Sequence, residues 1–440
     1  MDFEKLLAEA KKEGINELEV YEVKTENSSI ETFNGIIDKN VVSNTHIFSI
    51  RGVYNDHIVS ITTEVDNDDE INQIIGKIKE NSAVIDSNDP YIIYGGSKEY
   101  PVIEKQENDY AKYNQNEKIK YCLELEKKVK ESSPLVENVM AVFEIEQVEL
   151  SIRNSNGLNL SRKEDVAVVA AEAFLKKGEK VKTGWNVQYL KNISDFDLTK
   201  ALKFSVERPI KAIDAGFVKS GTYNVVFENG VMSSLLGAFS SIFSAEAVRK
   251  NMSLLQNRLG EKVFGDNITL VDDPLDPRAR FKIPFDDEGV ACKKKVLVYN
   301  GVLNTYLHNL KTAQIFNTES TGNGFKSAGT IGVAPTSLYL ESSEVVSFDE
   351  MLKAVDNGIL VTDIQGLHAG LNPVSGTFNL QSSGFKIENG KITDAITLFV
   401  VSGNIIDLLN NVKMVADDFE YKGSVGTGSI FVDNINISGK

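Results

Sequence analysis

The sequence of 440 residues is poor in the side chains that most often bind metals or form disulfides. It contains two cysteines, Cys122 and Cys292, and four histidines, none of which lies three to five residues from another. Two cysteines so far apart form neither a Cys-x-x-Cys pair nor a disulfide framework, which favours a reducing compartment. The histidine spacing excludes a zinc site built from two histidines on one helix.

The chain also lacks an excess of basic charge and a long apolar run. It has 47 Lys and Arg against 63 Asp and Glu, a net charge of −16. Because nucleic acid and anionic lipid both bind clusters of Lys and Arg, this balance argues against either partner. No stretch approaches the roughly 20 apolar residues that cross a membrane, and segment 1–14 is too charged for a signal peptide. We therefore expect a cytoplasmic protein.

The remaining composition is that of a globular protein with two or three domains, since 42% of the residues are hydrophobic and 25% are charged. In the first half, the apolar spacing predicts a helix over 2–13, with Asp2 as N-cap, and further helices. Segments rich in Val, Ile and Thr between them predict strands, with a hairpin at Asn156-Gly157. The further predicted helices cover 69–81, 116–132 and 195–207, the last ending at Pro209.

The second half is richer in strand and turn signals. Asn300-Gly301 and Asn389-Gly390 each lie between two strand-like segments and predict hairpins. Two helices are predicted, over 232–248 and 347–355, and the second begins with a capping box. We expect an α+β protein with two domains. An N-terminal α/β domain (1–215) carries helices on a mixed or antiparallel sheet, and a β-rich C-terminal domain (216–440) has a few helices.

Most catalytic motifs are absent or out of context. The sequence has no Gly-x-Ser-x-Gly elbow and no phosphate-binding loop. Ser383 and Lys386 have the Ser-x-x-Lys spacing, but they lie on a predicted strand, where residues three apart point to opposite faces. Cys292 and His308 could form a Cys–His dyad, but nothing in the sequence brings them together, so a buried structural thiol is the simpler interpretation.

Two segments carry candidate chemistry with a structural alternative. Asp286, Asp287 and Glu288 could bind a divalent cation or act as acid and base, or they could form a solvated turn over 285–289. His368 lies in a predicted loop between a strand and the turn at Asn372-Pro373. It is either functional or hydrogen-bonded to nearby backbone.

The order of several segments in the second half resembles the TldD/PmbA family, also known as the modulator of DNA gyrase family. Segments 50–53 and 61–63 resemble it as well, so that the likeness extends over nearly the whole chain. The segments that carry the resemblance are Ser220–Phe227, Ser234–Gly237, Phe285–Val290, Asn300–Leu303 with Tyr306-Leu307, Ser320–Gly324, Asn372–Gly376, Ile387–Ile392 and Gly403-Asn404.

This resemblance implies a cytoplasmic, two-subunit, zinc-dependent peptidase that acts in peptide maturation and proteolysis. One subunit type, TldD, carries His-Glu-x-x-x-His on a helix and a later cysteine at the metal. The second type, PmbA or TldE, lacks this motif and pairs with the first. Aligned with that pattern, Ser233, Ser234 and Ala238 replace the first His, the Glu and the second His, and the cysteine-bearing loop is missing before 430–433. A serine hydroxyl is a poor zinc ligand and alanine offers none.

The chain therefore resembles the PmbA/TldE side of the family, with a degenerate site in its C-terminal domain. The resemblance implies no catalytic or metal-binding residue here, zinc in a TldD-like partner, and a peptide substrate. We expect three loops to line the shared cavity or the subunit interface. The alternative is that these loops are turns that need the backbone geometry of Gly and Asn. Their residues are Asp286, Asp287, Glu288, Thr321, Gly322, Asn323, Asn372 and Pro373.

Two other hypotheses stay open. The chain could be a homodimeric regulatory or peptide-binding protein without peptidase activity. It could also be an independent hydrolase that uses Asp286, Asp287, Glu288 or His368.

Overall fold

The structure is a computed structural model that describes residues 1–85, 89–104, 107–327 and 329–440. The chain divides into two compact units. The first comprises residues 1–88, 93–95 and 103–214, and the second comprises 89–92, 96–102 and 215–440. The expected α+β class is confirmed, because helices cover an antiparallel sheet in the first unit and a β-rich unit with a few helices follows.

The first unit is built on a six-stranded antiparallel sheet with the order β3-β2-β1-β4-β5-β6. Asn156-Gly157 lies in the turn between β4 and β5, as its sequence predicts, and Gly157 has a positive φ of 88°. The strands are β1 (Glu17–Phe33), β2 (Ile36–Tyr54), β3 (His57–Thr63), β4 (Val136–Asn154), β5 (Asn159–Lys177) and β6 (Lys180–Leu190).

Helices pack on one face of this sheet. The N-cap prediction at Asp2 is confirmed, since its carboxylate accepts hydrogen bonds from the N–H groups of Glu4 and Lys5. The longest helix buries Cys122, Leu125 and Val129 against the inner residues of β4 and β5. The helices are α1 (Phe3–Lys12), α2 (Ile71–Ser82), α3 (Gln115–Glu131), α4 (Leu198–Leu202) and α5 (Arg208–Ala212).

The prediction that a helix ends at Pro209 is wrong. A π-helical stretch, Lys203–Glu207, follows α4 and leads directly into α5, with Pro209 in its first turn. Proline has no N–H to donate to the carbonyl four residues earlier, and the wider π turn before it removes the need for that bond. Pro209 therefore lies within a continuous helical segment, close against Gly184 of β6.

We predict opposite effects from two Gly→Ala substitutions in this unit. A Cβ on Gly184 would lie 2.1 Å from Pro209 Cγ and 2.5 Å from the Ser205 carbonyl oxygen, whereas a Cβ on Gly76 in α2 meets nothing within 4 Å. Gly184→Ala should lower the free energy of unfolding by about 1–3 kcal/mol through overpacking. Gly76→Ala should raise it by about 0.5–1 kcal/mol because alanine favours a helix. Urea denaturation of both variants checks this, and equal shifts would contradict the close packing at Gly184.

The second unit contains a ring of five strands in which β7, β15, β17, β18 and β22 pair in succession and β22 pairs back with β7. A second sheet has the order β10-β9-β8-β13-β21-β20, and β11 and β12 form a separate hairpin. The strands are β7 (Gly221–Phe227), β8 (Ile268–Asp272), β9 (Lys295–Tyr299), β10 (Val302–Leu303), β11 (Gly324–Ser327), β12 (Thr330–Val333), β13 (Leu338–Ser342), β14 (Val345–Val346), β15 (Gly358–Gln365), β16 (Leu371–Asn372), β17 (Thr377–Glu388), β18 (Lys391–Asn404), β19 (Val412–Ala416), β20 (Glu420–Lys422), β21 (Val425–Thr427) and β22 (Ile430–Ser438).

Both Asn-Gly hairpins predicted in this half are confirmed. Asn300-Gly301 joins β9 to β10 and Asn389-Gly390 joins β17 to β18. All four residues have φ between 45° and 79°. Two successive left-handed residues match the right-handed twist of the paired strands, and Asn and Gly adopt this conformation most readily.

The helix predicted over 232–248 is interrupted. The first helix ends at Phe239, a 3₁₀ turn covers Ser240–Phe243, and Ser244 is extended and caps the next helix. By contrast, the capping box of Ser347 and Glu350 is confirmed. The helices are α6 (Asn229–Phe239), α7 (Ala245–Arg249), α8 (Leu310–Ile315), α9 (Phe348–Val355) and α10 (Ile405–Asn410). Among the described residues, no helix has the length and hydropathy of a membrane span.

Candidate functional site

Helix α6 carries the three positions at which the sequence resemblance expects zinc ligands and a base. Ser233 is buried, and its Oγ has no hydrogen-bond partner within the described chain. The Ser234 hydroxyl donates to the Gly230 carbonyl one turn earlier at 2.7 Å. Ala238 offers no donor atom. The helix packs on β21 and β20, so its main role visible here is to fill the core.

The strongest polar arrangement in this unit is centred on Asp272, the last residue of β8. Its side chain is fully buried, and its Oδ1 accepts from the N–H groups of Thr336 and Ser337, each at 2.8 Å. Its Oδ2 accepts from the Asn323 amide at 2.8 Å and lies 3.0 Å from the ammonium of Lys295 on β9. A buried carboxylate with this many partners fixes the positions of three separate segments.

Thr321 and Asn323 extend this arrangement to the loop before β11. The Thr321 hydroxyl accepts from the His308 N–H at 2.7 Å and lies 2.7 Å from Asn323 Oδ1. Lys295 donates to the Thr321 carbonyl at 3.2 Å. We call the set Asp272, Lys295, His308, Thr321 and Asn323 the buried polar network.

The acidic segment 286–288 lies beside the same loop. It forms the turn considered from the sequence, but the expected solvation is wrong because all three side chains are buried. The Asp286 carboxylate accepts from the N–H groups of Glu288, Val290 and Gly324 at 2.8–3.0 Å. Asp287 accepts from the Lys326 N–H. Glu288 accepts from the Leu310 N–H at 2.7 Å, at the start of α8. These carboxylates connect three loops by backbone hydrogen bonds.

Burial governs the protonation of the two titratable groups that matter most here. It raises the pKa of Asp286, the negative charge of Glu288 raises it further, and the donated N–H bonds act against both. Because the pKa of Asp286 is higher in the folded chain than its ordinary value, the protonated carboxyl contributes to stability at low pH. This contribution is lost as the pH rises and the carboxyl loses its proton. Burial lowers the pKa of His308 to about 4, so its imidazole is neutral near pH 7.

Cys292 and His308 prove to be close to the same loop, which the sequence did not indicate. Cys292 is buried, and its Sγ lies 3.2 Å from the Gly322 carbonyl oxygen. The His308 Nδ1 has no hydrogen-bond partner in the described chain, and its ring packs edge-on against Phe316. The buried structural thiol preferred from the sequence agrees with this packing.

The other candidates lie outside the network. Asn372 and Pro373 form a surface turn, in which the Asn372 Oδ1 accepts from the N–H groups of Val374 and Ser375. His368 is exposed in a turn after β15. Ser383 lies within β17, so its Ser-x-x-Lys spacing stays on a strand, as expected.

Asp272 and Lys295 were not identified from the sequence. Asp272 follows the apolar strand Ile268–Val271, and a charged residue at the end of a buried strand was the available signal. Lys295 opens β9 in a run of lysines whose other members are exposed, so its burial depends on a pairing partner that one sequence does not show. Among the described residues, no three His, Cys, Asp or Glu side chains are grouped so as to hold a metal ion.

We predict that Asp272→Asn lowers the free energy of unfolding by about 3–5 kcal/mol, because it leaves the Lys295 ammonium buried without its counter-charge. The matched control is Asp266→Asn. Asp266 also pairs with a lysine, Lys262, at 2.6 Å, but its side chain is 80% exposed, so its loss should cost less than about 1 kcal/mol. Urea denaturation of both variants measures the difference, and similar losses would contradict the role given to the buried pair.

His308 predicts a pH dependence that a variant can isolate. The unfolded chain protonates this histidine near its ordinary pKa of 6.5, whereas the folded chain does so at about 4. Stability therefore falls as the pH decreases through this window, by up to about 3 kcal/mol. His308→Phe cannot titrate, so its stability relative to the parent chain should improve between pH 7 and pH 4. Thermal or urea unfolding at both values tests this, and a constant difference would refute it.

Comparisons with known proteins agree with the fold. Residues 220–439 match the family model described as the PmbA/TldA metallopeptidase C-terminal domain, and residues 18–82 match the model of domain 1 of the same family. A metalloprotease PmbA homolog of Haemophilus influenzae is 32% identical over 215 residues, which is 49% of this chain and 46% of that protein. The chain covers about half the length of the first curated relatives that it matches.

Two solved structures are similar over almost all of both chains. A Thermotoga maritima protein, described as a candidate modulator of DNA gyrase, is 29% identical with a TM-score of 0.90 and 99% coverage of each chain. The structure of TldE from Thermococcus kodakarensis has a TM-score of 0.88 with the same coverage at 22% identity, and this likeness shows a shared fold.

Proposed function

Because this chain belongs to the PmbA/TldD metallopeptidase family, we propose that it is the non-catalytic, PmbA/TldE-like subunit of a zinc peptidase of the TldD/TldE type. Its partner is a TldD-like chain that carries His-Glu-x-x-x-His and holds the zinc ion. The complex acts on peptides in the cytoplasm, in proteolysis or peptide maturation.

The observation that supports this proposal is the chemistry of α6. Zinc in proteins is bound by imidazole nitrogen, thiolate sulfur or carboxylate oxygen. The aligned positions offer a buried hydroxyl at Ser233, a hydroxyl at Ser234 that already donates to backbone, and a methyl group at Ala238. These residues do not fit a zinc ion, and none of them has the basicity to activate water. The chain's contribution then lies in shape and partner binding.

The proposed lining of a shared cavity or interface is refined by burial. The side chains of Asp286, Glu288 and Asn323 are at most 3% exposed, so they support their loops from within. The turn at Asn372 and Pro373 has exposed side chains at its centre. We propose that this turn faces a partner or peptide, and that the buried carboxylates keep their segments rigid.

The test compares this chain alone, a zinc-motif relative from the same genome alone, and the two together. We expect the first to hold far less than one zinc per chain and to cleave no peptide, and the mixture to form a complex with peptidase activity. Elemental analysis, light scattering and a fluorogenic peptide library give the three readouts. Mutating the motif Glu of the relative to Gln should abolish activity, whereas Ser234→Ala in this chain should leave it unchanged.

Other results would favour the alternatives. Stable self-association with no affinity for the relative would support a homodimeric regulatory or peptide-binding protein. Peptide cleavage by this chain alone, lost in Asp287→Ala or His368→Ala, would support an independent hydrolase.

A further inference from the structure

The six-stranded sheet of the first unit has a second face that points away from α3. Register places Ile36, Phe33, Met140, Glu172 and Trp185 in one row across five strands of this face. We call the part of this side around that row, on β2, β1, β4, β5 and β6, the outer face. At the other end of the same side, Glu19, Tyr21 and Ile152 are buried within the chain. The most exposed apolar residues of the outer face include Ile36, which is 71% exposed to solvent, and Trp185, which is 62% exposed.

The sequence of β5 is unusual for a strand with one solvent-exposed face. Ala167, Val169, Ala171 and Ala173 point to the inner face and are buried in the core with α3. An antiparallel sheet with one solvated side normally alternates these residues with polar ones. Here two of the three residues between them, Val168 and Ala170, are apolar as well.

On the outer face, β5 presents Val168, Ala170 and Phe174, and only Glu172 interrupts them. Val142 of β4 and Val187 of β6 flank Ala170 in the next row. A strand that is apolar on both sides is typical of a sheet covered on both sides. An apolar surface that spans five strands on a soluble chain marks an interaction site.

The charges on the outer face indicate the nature of its occupant. The Glu31 carboxylate is paired with Lys39 at 2.8 Å, and Glu144 accepts a hydrogen bond from the Asn27 amide. Lys176, at the margin, is paired with Glu137.

Glu172 lies between Met140 and Trp185 in the middle of the apolar surface. Within the described parts of the chain it has no hydrogen bond or ion pair. Covering Glu172 with an apolar partner would bury an uncompensated carboxylate, which is strongly unfavourable.

A second copy of this chain is a poor occupant for the same reason. In a two-fold dimer centred on this row, it would place its own Glu172 beside the first, so that two carboxylates without a counter-charge would meet. A cation in the partner would instead neutralise Glu172 in a desolvated contact, where complementary charge gives specificity.

We propose that the outer face binds a different protein chain through an apolar surface that places a Lys or Arg side chain against Glu172. The identity of that chain rests on the proposed function: it is the zinc-motif relative from the same genome. The contact would be a flat, sheet-covering interface with Trp185 as an anchor, since tryptophan is frequent among residues that dominate binding energy.

The experiment measures the dissociation constant of the full-length chain with that relative by titration calorimetry. Trp185→Asp and Glu172→Lys should each weaken the complex by about tenfold or more. The control is Tyr299→Asp in the second unit, where Tyr299 is 58% exposed, and it should change affinity less than about twofold. Glu172→Gln, which removes the charge at nearly constant shape, should weaken binding in the same direction. Circular dichroism melting of each variant verifies folding.

The outcomes separate this inference from the proposed function. A complex whose affinity is unchanged in both outer-face variants would overturn the inference and leave the proposed function standing. No complex between the two chains would overturn both. A third result would show that the occupant is a second copy and that the inference is wrong. In that case the chain dimerises alone, Trp185→Asp breaks the dimer, and Glu172→Lys strengthens it.

Discussion

The ion pair between Asp272 and Lys295 is the constraint on which the polar interior of the second unit depends. Two charges removed from water are stable only when geometry and further hydrogen bonds compensate for the lost hydration. Here the carboxylate receives two backbone N–H groups, one hydroxyl and one amide besides the ammonium. Because these partners come from β9, the loop before β11 and the segment before β13, the pair cannot form unless all three are in place. It therefore makes the position of each loop conditional on the others.

The acidic segment 286–288 depends on the same loop positions. Gly324 shows how little freedom remains, because a Cβ there would lie 2.5 Å from Glu288 Oε2. The same glycine donates its N–H to Asp286 and accepts at its carbonyl from the Asp287 N–H. A residue with a side chain at 324 would have to displace a buried carboxylate that caps α8. Backbone approach, carboxylate burial and helix capping are thus one coupled arrangement.

Local patterns predicted what local physics decides. The caps at Asp2 and Ser347, and the hairpins at Asn300 and Asn389, follow from the geometry of a few neighbouring residues, and each is present. The path of the helical segment through Pro209 and the interruption at Ser244 depended on a π turn and on an extended cap, which apolar spacing does not reveal. The candidate site was predicted only in part. The sequence pattern singled out Asp286 and Glu288 but not Asp272 and Lys295, because burial and ion pairing between distant strands are decided by tertiary structure. Their sequence neighbours are ordinary charged residues.

Helix α6 and the buried polar network are separate parts of the second unit. The helix packs on β21 and β20 through apolar residues such as Leu235 and Leu236, while the network holds β8, β9 and the loops between β9 and β13. Ser233 contributes no hydrogen bond to either, so a hydroxyl at this position adds a desolvation cost without a compensating contact. Because none of the five residues of the buried polar network belongs to α6, we expect substitutions at Ser233, Ser234 or Ala238 to leave that network in place. The side chains at these three positions of α6 and the buried polar network are therefore independent features of the unit.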